Sequence, residues 1–513
     1  MSSVATDSNL ARLAEAAFER RGDYESLLFE GRWHGSAELY ERSCRIAGGL
    51  AELGIAPGER VVVTMANRPE VSVVYQAVWR AGAVVTPAIF VLPAEDLRHV
   101  IADSQACAVI TTSEFVDKVR EAVAGLPDVR HIISADGVGE DDGVIALSEL
   151  EQSEPAPIVA RDDQDLAALL YTGGTTGRAK GVMLSHANLR FSGHAVQRAA
   201  YVAGVSRSLM TLPLSHSYGL LVTISAMHSP ERPVTVLLRW FDPVAFLELV
   251  AEHRLQTSAV VPSMIHLLLA QPLERYSLES LVTLGCGAAP LAPQVVEEIE
   301  RRIPSVKVRQ GYGLTETAAL ISTNPAGREK PGSVGLPIPG ATVRILDHED
   351  RELPAGEAGE VCCRSPAVMR GYWRAGGRDP ELTADAVRDG WLRTGDIGYL
   401  DDEGYLFIVD RKKDLIIRGG FNVYPRDVED ALLEHPAVTG AGVVGRPDER
   451  HGEEVVAFVS LNPAGAVGAD ELIAWARQRI GGYKYPREVH ILDAVPLTPV
   501  GKLDRKALRG RLL

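Results

Sequence analysis

The chain has 513 residues, 46% of them hydrophobic and 24% charged, proportions of an ordinary globular protein with room for about two or three domains. Its formal net charge of −15 argues against nucleic-acid binding through a broad basic face. No run of roughly 18 apolar residues occurs along it, so the sequence predicts no membrane span.

Apolar runs and helical patterns alternate along the N-terminal part of the chain. The predicted elements up to residue 112 are helices over 9–20, 36–53, 69–81 and 93–102, a hairpin over 27–33, and strands over 60–65, 83–89 and 106–112. Ser36 is the expected N-cap of the second helix, and Gly54 is its expected C′ residue. This order is the βαβ pattern of a parallel sheet covered by helices on both faces.

The same alternation resumes after residue 165. Further strands are expected over 166–170, 182–184, 209–214, 234–238, 258–261 and 281–284. A helix over 242–253 has Asp242 as its predicted N-cap. Two such halves indicate a pseudo-repeated α/β core. From about 331 to 409, short β runs punctuated by Gly and Pro predict a small antiparallel barrel or ribbon, and a compact α+β unit follows.

One stretch matches a dinucleotide-binding fingerprint by its letters only. GAGVVG, residues 440–445, is followed by Arg446-Pro447-Asp448 instead of the helix that the fingerprint requires. We therefore interpret Val443-Val444 as a strand between turns.

The stretch YTGGTTGRAKG, residues 171–181, has the composition of a phosphate-binding loop. Its glycines let several backbone N–H groups point towards one position, and its threonine hydroxyls add donors there. It is not the P-loop of nucleotide hydrolases, because Lys180 stands between Ala179 and Gly181 and a strand follows it. A flexible hairpin loop is the alternative interpretation. The loop therefore indicates phosphate without indicating a reaction.

Six further stretches carry polar or small residues next to predicted strands or near the chain end. They are LPLSHSYG (212–219), GCGAAP (285–290), QGYGLTET (310–317), WLRTGDIG (391–398), DRKKD (410–414) and PVGKLDR (499–505). Each has an ordinary alternative taken alone, such as a packed histidine, a core tyrosine, a turn aspartate or a solvated charge run. Together they offer phosphate donors, a metal carboxylate, a stacking ring, a diol acceptor and a mobile lysine.

These segments, in this order and spacing, resemble the adenylate-forming superfamily of acyl-CoA synthetases, peptide-synthetase adenylation domains and beetle luciferases. The resemblance covers about residues 10–510 and is strongest to acyl-CoA ligases, through VDRKKDLIIRGGFNVYPRDVE and YKYPREV. It implies an α/β fold with a large N-terminal domain, 1–409, made of two pseudo-repeated parallel α/β subdomains and a small β-barrel at about 331–409. A small mobile α+β lid, 410–513, would follow a hinge at Asp410.

The resemblance also implies roles for individual residues of the large domain. Those implied to hold ATP or AMP are Thr172, Gly173, Gly174, Thr175, Thr176, Gly177, Lys180, Gly287, Ala288, Ala289, Tyr312, Asp396 and Arg411. Thr315 would touch the α-phosphate and Glu316 would bind Mg²⁺. The acyl pocket would include His216, which is expected to gate it, with Ser217, Tyr218 and Gly313.

In the lid, the resemblance implies two sets of groups used in turn. Lys502 would bridge the substrate carboxylate and the α-phosphate during the first step. Gly419, Gly420 and Phe421 would line the pantetheine tunnel of coenzyme A once the lid has turned. The chain departs from the family pattern at Ala179, where proline is frequent.

The activity implied is an AMP-forming acid–thiol ligase that uses ATP, Mg²⁺ and coenzyme A. It would make acyl-AMP with release of pyrophosphate, then the CoA thioester with release of AMP. The alternatives are an enzyme that loads a carrier protein, one that acts mainly on acyl-AMP supplied to it, and a luciferase-like oxidoreductase. The expected pocket stretches 216–219, 263–266, 287–289 and 313–314 contain no Arg, Lys, Asp or Glu, which predicts an apolar aryl or aliphatic monocarboxylic acid.

The expected partners are small molecules only: the acid, ATP and coenzyme A, with a homodimer left open. The N-terminus lacks the apolar core of a signal peptide, and the C-terminal RGRLL is not a peroxisomal address. Five cysteines, at 44, 107, 286, 362 and 363, form no metal or disulfide pattern. These features predict a reducing, cytoplasmic location.

Overall fold

The computed structural model describes residues 7–137, 143–172, 178–374, 376–462, 467–498 and 502–512. Its contacts divide the chain into two compact units. The first unit comprises Met1–Pro331, Gly335–Thr342 and Cys363–Leu392, and the second comprises Gly332–Val334, Val343–Cys362 and Arg393–Leu513. The domain boundary and hinge at Asp410 remain predictions.

Helices and strands alternate along the first unit. In chain order they begin with α1 Leu10–Arg21, β1 Glu25–Phe29, β2 Arg32–Gly35, α2 Ser36–Glu52, β3 Arg60–Val63, α3 Pro69–Arg80, β4 Val84–Pro87, α4 Ala94–Ser104, β5 Ala106–Thr111, α5 Val116–Val123, β6 His131–Ser134, β7 Ile145–Ala146, α6 Leu147–Leu150, β8 Leu166–Thr172 and β9 Lys180–Ser185. They continue with α7 His186–Ala200, β10 Arg207–Met210, α8 Ser217–His228, β11 Val234–Leu237, α9 Pro243–His253, β12 Thr257–Val260, α10 Pro262–Leu269, β13 Thr283–Cys286, α11 Pro293–Arg302, β14 Lys307–Tyr312, β15 Ser322–Thr323 and β16 Leu336–Pro337.

The remaining elements are shorter and richer in strands. They are β17 Thr342–Leu346, β18 Gly359–Arg364, β19 Gly371–Arg374, β20 Gly377–Asp379, α12 Pro380–Ala386, β21 Val387–Arg388, β22 Trp391–Leu400, β23 Leu406–Arg411, β24 Ile416–Arg418, β25 Phe421–Val423, α13 Pro425–Leu433, β26 Val438–Asp448, β27 Gly452–Leu461, α14 Ala469–Arg479, β28 Glu488–Leu492 and α15 Arg505–Gly510.

Two nine-stranded sheets form the framework of the first unit. One has the order β20-β19-β9-β8-β4-β3-β5-β6-β7, and it is parallel from β8 to β7. The other has the order β16-β15-β14-β13-β12-β10-β11-β1-β2, and it is parallel from β14 to β1. Each parallel sheet buries an apolar cluster with its helices, the first around Tyr75 and Trp79 and the second around Phe246. The predicted pair of α/β halves is confirmed.

The strands of the second unit belong to two five-stranded sheets. The order of one is β17-β18-β22-β21, with β23 on β22, and the order of the other is β25-β24-β27-β26, with β28 on β27. The second of these sheets buries Val428 and Leu432 of α13 and Leu472 of α14. The stretch 440–445 runs through β26, which pairs antiparallel with β27, so the interpretation of Val443-Val444 as a strand is confirmed.

Local signals were correct at most turns and caps. Glu30 and Gly31 both have positive φ at the β1–β2 hairpin, and Gly54 has φ +73° after α2. Asp242 caps α9 by accepting from Ala245 N at 2.8 Å. The prediction for Ser36 was wrong: Gly35 is the N-cap of α2, because the Ser36 hydroxyl instead donates to Gly22 O and accepts from Tyr24 N. Among the described helices, none is long and apolar enough to cross a bilayer.

Candidate active site

The phosphate-loop stretch joins the facing ends of two antiparallel strands. Thr172 at the end of β8 pairs with Lys180 at the start of β9. The predicted residues Gly173, Gly174, Thr175, Thr176 and Gly177 lie outside the described residues. The stem after the loop is fixed from α4, since His99 Nε2 lies 2.8 Å from Ala179 O. The strand geometry therefore places Lys180 at the base of the loop.

Lys180 lies beside a tyrosine from a distant part of the chain, and that tyrosine binds a carboxylate from another part. Its ammonium nitrogen is 5.4 Å from the ring centroid of Tyr372 on β19. The Tyr372 hydroxyl donates to Glu316 Oε1 at 2.8 Å. Burial, together with the neighbouring Glu316 charge and this hydrogen bond, raises the pKa of Tyr372 far above its ordinary value, so the ring stays protonated. A cation and a carboxylate predicted to serve one nucleotide are thus linked through Tyr372.

A tight turn carries Thr315 and Glu316 away from strand β14. Thr315–Thr317 form a 3-10 turn directly after Tyr312 and Gly313. A Cβ at Gly313 would lie 2.1 Å from Ala319 O, so only glycine allows the chain to return this closely. Glu316 O accepts from Met369 N at 2.8 Å, which fixes the main chain of the turn as Tyr372 fixes its carboxylate.

The predicted adenine residues lie at the carboxyl ends of two neighbouring parallel strands. Cys286 at the end of β13 pairs with Gln310 on β14, and Gly287 follows. A Cβ at Gly287 would approach Gly311 O to 2.9 Å, and Ala288 takes φ +70°, a conformation that costs free energy outside glycine. Ligands of parallel α/β sheets bind beyond such strand ends.

His216 is the N-cap of helix α8, a structural role that its sequence position did not reveal. Its Nδ1 accepts from Tyr218 N at 3.3 Å and lies 3.4 Å from the Ser217 hydroxyl oxygen. A Cβ at Gly285 would lie 4.0 Å from the Tyr218 hydroxyl, so the Tyr218 ring is directed towards strand β13. Burial raises the pKa of Tyr218, against the opposing charge of Arg309. The predicted acyl-pocket residues 216–218 thus begin one helix.

Arg309 is a buried cation near this pocket that sequence reasoning missed. It is 6% exposed and pairs in register with Gly285. Its guanidinium donates to three carbonyl oxygens, those of Asn324 at 2.8 Å, Ala199 at 2.9 Å and Ala200 at 3.4 Å. Burial lowers its pKa. Since carbonyls already occupy these donors, Arg309 is not organised to bind a second substrate carboxylate.

In the second unit, Asp396 and Arg411 occupy paired positions on β22 and β23. Asp396 is 3% exposed, and its Oδ1 lies 3.0 Å from Arg411 Nε. The predicted pair of nucleotide residues is therefore brought together. The backbone of Lys412 donates to Gly395 O at 2.9 Å, which closes the same end of the hairpin.

Asp410, the predicted hinge, is buried and held by backbone donors. Its two carboxylate oxygens accept from Arg411 N at 2.7 Å and from Arg426 N at 2.9 Å. Burial raises its pKa, and the charge of Arg505 opposes this change. The side chain is thus a fixed acceptor at the point where β23 ends.

The predicted coenzyme A residues lie on the exposed β24–β25 hairpin. Gly419 and Gly420 have φ +58° and +82°, which favour glycine, and Gly419 N donates to His451 O at 2.7 Å. Phe421 is 58% exposed and its ring packs on Tyr483 with centroids 4.9 Å apart. An exposed aromatic pair next to two glycines, of which Gly420 has open space at its Cβ position, is a suitable surface for a flexible ligand arm.

The backbone of Lys502 is paired with Thr498, four residues earlier. Lys502 O accepts from Thr498 N at 2.6 Å, and Lys502 N donates to the Thr498 hydroxyl at 3.2 Å. Leu497 and Leu503, the residues that flank Thr498 and Lys502, form an antiparallel bridge. Three residues later, Arg505 begins helix α15 and binds Glu429 through both carboxylate oxygens, at 2.7 and 2.8 Å.

Two further side chains around these sites were missed at the sequence level, Tyr372 and Arg505. Tyr372 lies in RGYWR, residues 370–374, where no element was predicted although the aromatic pair Tyr372-Trp373 is a strand signal. Arg505 belongs to the same PVGKLDR stretch as Lys502, and the sequence does not distinguish its role from that of the other cations there. Glu429, the carboxylate that Arg505 binds, is distant in sequence, so no local pattern connects the two residues.

Glu316 also passes the chemical test for a magnesium ligand. A carboxylate oxygen is the donor that Mg²⁺ prefers, and proteins commonly hold the ion through one or two carboxylates and the substrate phosphates. Tyr372 occupies Glu316 Oε1, and no other described side chain binds the carboxylate, which leaves Oε2 for a cation.

A cleft of about 410 Å³ opens beside Lys180; its other lining residues are Asp103, Ala179, Trp373, Arg374, Asp379, Glu381, Leu382 and Asp385.

Comparisons with known proteins agree on one family. The family model for AMP-binding enzymes matches residues 13–373, and the model for their C-terminal domain matches residues 427–502. A feruloyl-CoA synthase from an Amycolatopsis species is 37% identical over 480 residues, covering 93% of each chain. A long-chain-fatty-acid–CoA ligase from Bacillus subtilis (strain 168) is 34% identical over 517 residues, covering 95% of this chain and 91% of its own.

Solved structures give the same result for the fold. The ATP-bound crystal structure of MatB from Rhodopseudomonas palustris superposes with a TM-score of 0.89 at 30% identity, and 99% of each chain is covered. The match extends over both predicted domains. The chain therefore belongs to the family of AMP-binding enzymes, within the adenylate-forming superfamily of acyl-CoA ligases, and is an enzyme of the AMP-forming acid–thiol ligase class.

Proposed function

We propose that this enzyme activates a mainly apolar monocarboxylic acid with ATP and Mg²⁺ to acyl-AMP, releasing pyrophosphate, and then forms the thioester with coenzyme A, releasing AMP. The observation that carries the proposal is the contact chain from Lys180 through Tyr372 to Glu316. It brings a point charge beside the phosphate loop and a free carboxylate oxygen into one part of the first unit. That combination suits a metal–triphosphate substrate.

The first step joins two anions, the substrate carboxylate and the α-phosphate of ATP. Bound magnesium would reduce the negative charge of the phosphates. Among the chain's own groups, Lys180 would bind the β- and γ-phosphates, Thr315 would donate to the α-phosphate, and Lys502 would bring positive charge to both reactants. Preorganised charges of this kind stabilise the charge that builds up at phosphorus in the transition state.

The nucleoside of ATP would be recognised by two sets of residues. Gly287, Ala288 and Ala289 leave room beside the backbone for the adenine, with Tyr312 on the next strand as its stacking ring. Asp396, paired with Arg411, would accept hydrogen bonds from the ribose hydroxyls. Both acyl-AMP and ATP carry this nucleoside, so the same residues would serve both steps.

The second step needs a thiol in place of the pyrophosphate. A thiolate attacks the acyl carbonyl of acyl-AMP, the C–S bond forms, and the bond from that carbon to the phosphate oxygen breaks to release AMP. Gly419, Gly420 and Phe421 would line the route of the pantetheine arm. The lid, residues 410–513, would present Lys502 in the first step and these residues in the second.

The proposed acid is apolar away from its single carboxylate. The pocket would be lined by His216, Ser217, Tyr218 and Gly313. Arg309, the buried cation described near it, already has each of its three guanidinium nitrogens hydrogen-bonded to a carbonyl oxygen. A second buried carboxylate would remain unpaired, which is strongly unfavourable. Feruloyl and long-chain fatty acyl groups, which the names of two relatives give as their substrates, both fit this description.

A panel of acids with ATP, Mg²⁺ and coenzyme A, read as AMP release, tests the proposal. Aryl and aliphatic monocarboxylates should give the highest kcat/KM. A clear preference for malonate or an amino acid would contradict the pocket assignment. Faster transfer to a pantetheinylated carrier protein than to coenzyme A would replace the proposed acceptor, and absent pyrophosphate exchange would show an enzyme that depends on supplied acyl-AMP.

The proposal also concerns the cellular location of the enzyme and its oligomeric state. All five cysteines are free and buried, which agrees with the predicted reducing location in the cytoplasm. The described residues and the relatives give no support for a homodimer, so none is proposed.

A further inference from the structure

Strand β19 lies next to strand β9, which begins at Lys180 after the predicted phosphate loop. It pairs antiparallel with β9, with Tyr372 opposite Val182. Residues paired across antiparallel strands share a face, and residues two apart on one strand also share it. Tyr372 therefore lies on the same face of the sheet as Lys180, and the short distance from the Lys180 ammonium to its ring follows from this register.

The Tyr372 side chain contacts both charges through different atoms. The face of its ring lies under the Lys180 ammonium at 5.4 Å, within the range of a cation–π interaction. Its hydroxyl donates to Glu316 Oε1 at 2.8 Å. Among the described residues, no carboxylate forms an ion pair with Lys180, so the ring of Tyr372 contacts the cation while its hydroxyl binds the anion.

Glu316 depends on the β19 segment for both its main chain and its side chain. Met369, just before the strand, donates its N–H to Glu316 O at 2.8 Å. The Tyr372 hydroxyl is the one described side-chain donor to the Glu316 carboxylate. Without that hydroxyl, the carboxylate would be free to change rotamer and would lose its fixed direction.

We propose that Tyr372 is a positioning residue for the first half-reaction: its hydroxyl orients Glu316 towards the metal–triphosphate, and its ring supports Lys180. This inference rests on the proposed function and goes beyond it by assigning a residue that the family motifs in the sequence did not bring forward. Tyr372 acts through Glu316, so its loss should weaken metal binding before it weakens nucleotide binding.

The test is Tyr372→Phe, which keeps the ring under Lys180 and removes only the hydroxyl. Hydrogen bonds to charged groups are strong enough to give about a tenfold effect or more. The Mn²⁺ concentration for half-maximal pyrophosphate exchange should rise at least about tenfold, with the KM for ATP at saturating metal within about threefold. Mn²⁺ binding to the enzyme with a non-hydrolysable ATP analogue, followed by electron paramagnetic resonance, should weaken by the same factor.

Tyr40→Phe is the matched control, because the Tyr40 hydroxyl donates to Glu15 Oε1 at 3.2 Å between helices α2 and α1. It removes the same kind of bond and should leave metal dependence unchanged. Glu316→Gln supplies the double-mutant cycle: Tyr372→Phe should add nothing to metal affinity in the Glu316→Gln background.

Unchanged metal affinity in Tyr372→Phe, or additive effects in the double variant, would overturn the positioning role. A wild-type enzyme that exchanges pyrophosphate while Tyr372→Phe behaves like Tyr40→Phe refutes this inference and leaves the proposed function intact. A wild-type enzyme that releases no AMP with any acid refutes the proposed function itself.

Discussion

Asp396 and Arg411 face each other across the β22–β23 pair, with 3.0 Å between Asp396 Oδ1 and Arg411 Nε. The aspartate is almost fully buried, whereas the arginine side chain remains 43% exposed. The guanidinium therefore fixes the position of the carboxylate at this end of the hairpin. A carboxylate held in a fixed position is the kind of acceptor that recognition of a vicinal diol requires.

Asp396→Ala should weaken ATP in the first step and acyl-AMP in the second, because both present the same ribose hydroxyls. Charged hydrogen bonds are worth roughly 1.5–3 kcal/mol, which corresponds to an increase of about 10- to 150-fold in each KM. Measuring KM for both ligands in their separate half-reactions checks this. An increase for one ligand alone would contradict the diol assignment.

Lys502→Ala should separate the two half-reactions. The ammonium is needed while two anions react, whereas thiolysis of acyl-AMP proceeds without it. Loss of one preorganised electrostatic contact typically lowers the rate by about 10²–10³-fold. Pyrophosphate exchange should fall by at least that factor, and thioester formation from prepared acyl-AMP and coenzyme A should stay within roughly tenfold, about 1.4 kcal/mol of barrier.

Gly420→Trp should show the reverse pattern, because bulk at that position would block the pantetheine route and leave ATP untouched. Gly420 has φ +82°, so any side chain strains the backbone there. Gly420→Ala is therefore the matched control that carries the strain without the bulk. Equal loss of both half-reactions in folded Lys502→Ala and Gly420→Trp would rule out a two-conformation mechanism.

The fold was predictable wherever local signals decide structure. Buried strands followed by polar helices predicted the βαβ order, and the hairpin at Glu30-Gly31 followed from its turn residues. The motif residues Glu316 and Asp396 could be singled out because Glu316 stands in a short turn after strand β14 and Asp396 follows Gly395 within strand β22. In these places the chemistry and the backbone signal lie within a few residues of each other.

Long-range contacts explain what the sequence did not predict. The expected strand over 209–214 ends at Met210, because the buried Asn67 side chain binds Leu212 O and Leu214 N in place of a neighbouring strand. Tyr372 could not be connected with Lys180 before the pairing of β19 with β9 was known. Such partners are set by tertiary packing, which no local pattern encodes.

Arg505→Met should destabilise the second unit strongly, since it removes the cationic partner of the buried Glu429 and leaves its carboxylate the Val443 N–H as a donor. Removing one member of a buried ion pair typically costs about 3–5 kcal/mol, whereas replacing both with apolar residues is often nearly neutral. The double variant Arg505→Met/Glu429→Leu should therefore recover most of the lost thermal stability. Lys506→Met, on the exposed neighbouring position of α15, should change the free energy of unfolding by no more than about 0.5 kcal/mol.

The measurement for this pair is thermal unfolding of the four proteins under identical conditions. Burial raises the pKa of Glu429 to about 7, against the opposing charge of Arg505. Loss of the arginine should raise this pKa further, so Arg505→Met should be relatively less destabilised at acidic pH, where Glu429 is protonated. A double variant no more stable than Arg505→Met would show that the pair is required as a pair.

His186 should make the first unit sensitive to acid. It is fully buried at the start of α7, and its Nδ1 accepts from Leu10 N at 3.1 Å, which docks helix α1. Burial, reinforced by Arg161, lowers its pKa from 6.5 to about 4. Between these two values the unfolded chain binds a proton that the folded chain refuses, so stability falls as the pH is lowered, by about 2 kcal/mol from this residue at pH 5.

His186→Asn offers an amide oxygen in place of Nδ1 and removes the titrating ring. Its urea unfolding midpoint should change less between pH 7.5 and pH 5 than that of the wild type. Part of the dependence should persist, because burial also lowers the pKa of His228 to about 4. The double variant with His228→Asn should be the least acid-sensitive of the set. If the urea midpoint of His186→Asn changes with pH as much as that of the wild type, the Leu10 contact tolerates a protonated ring.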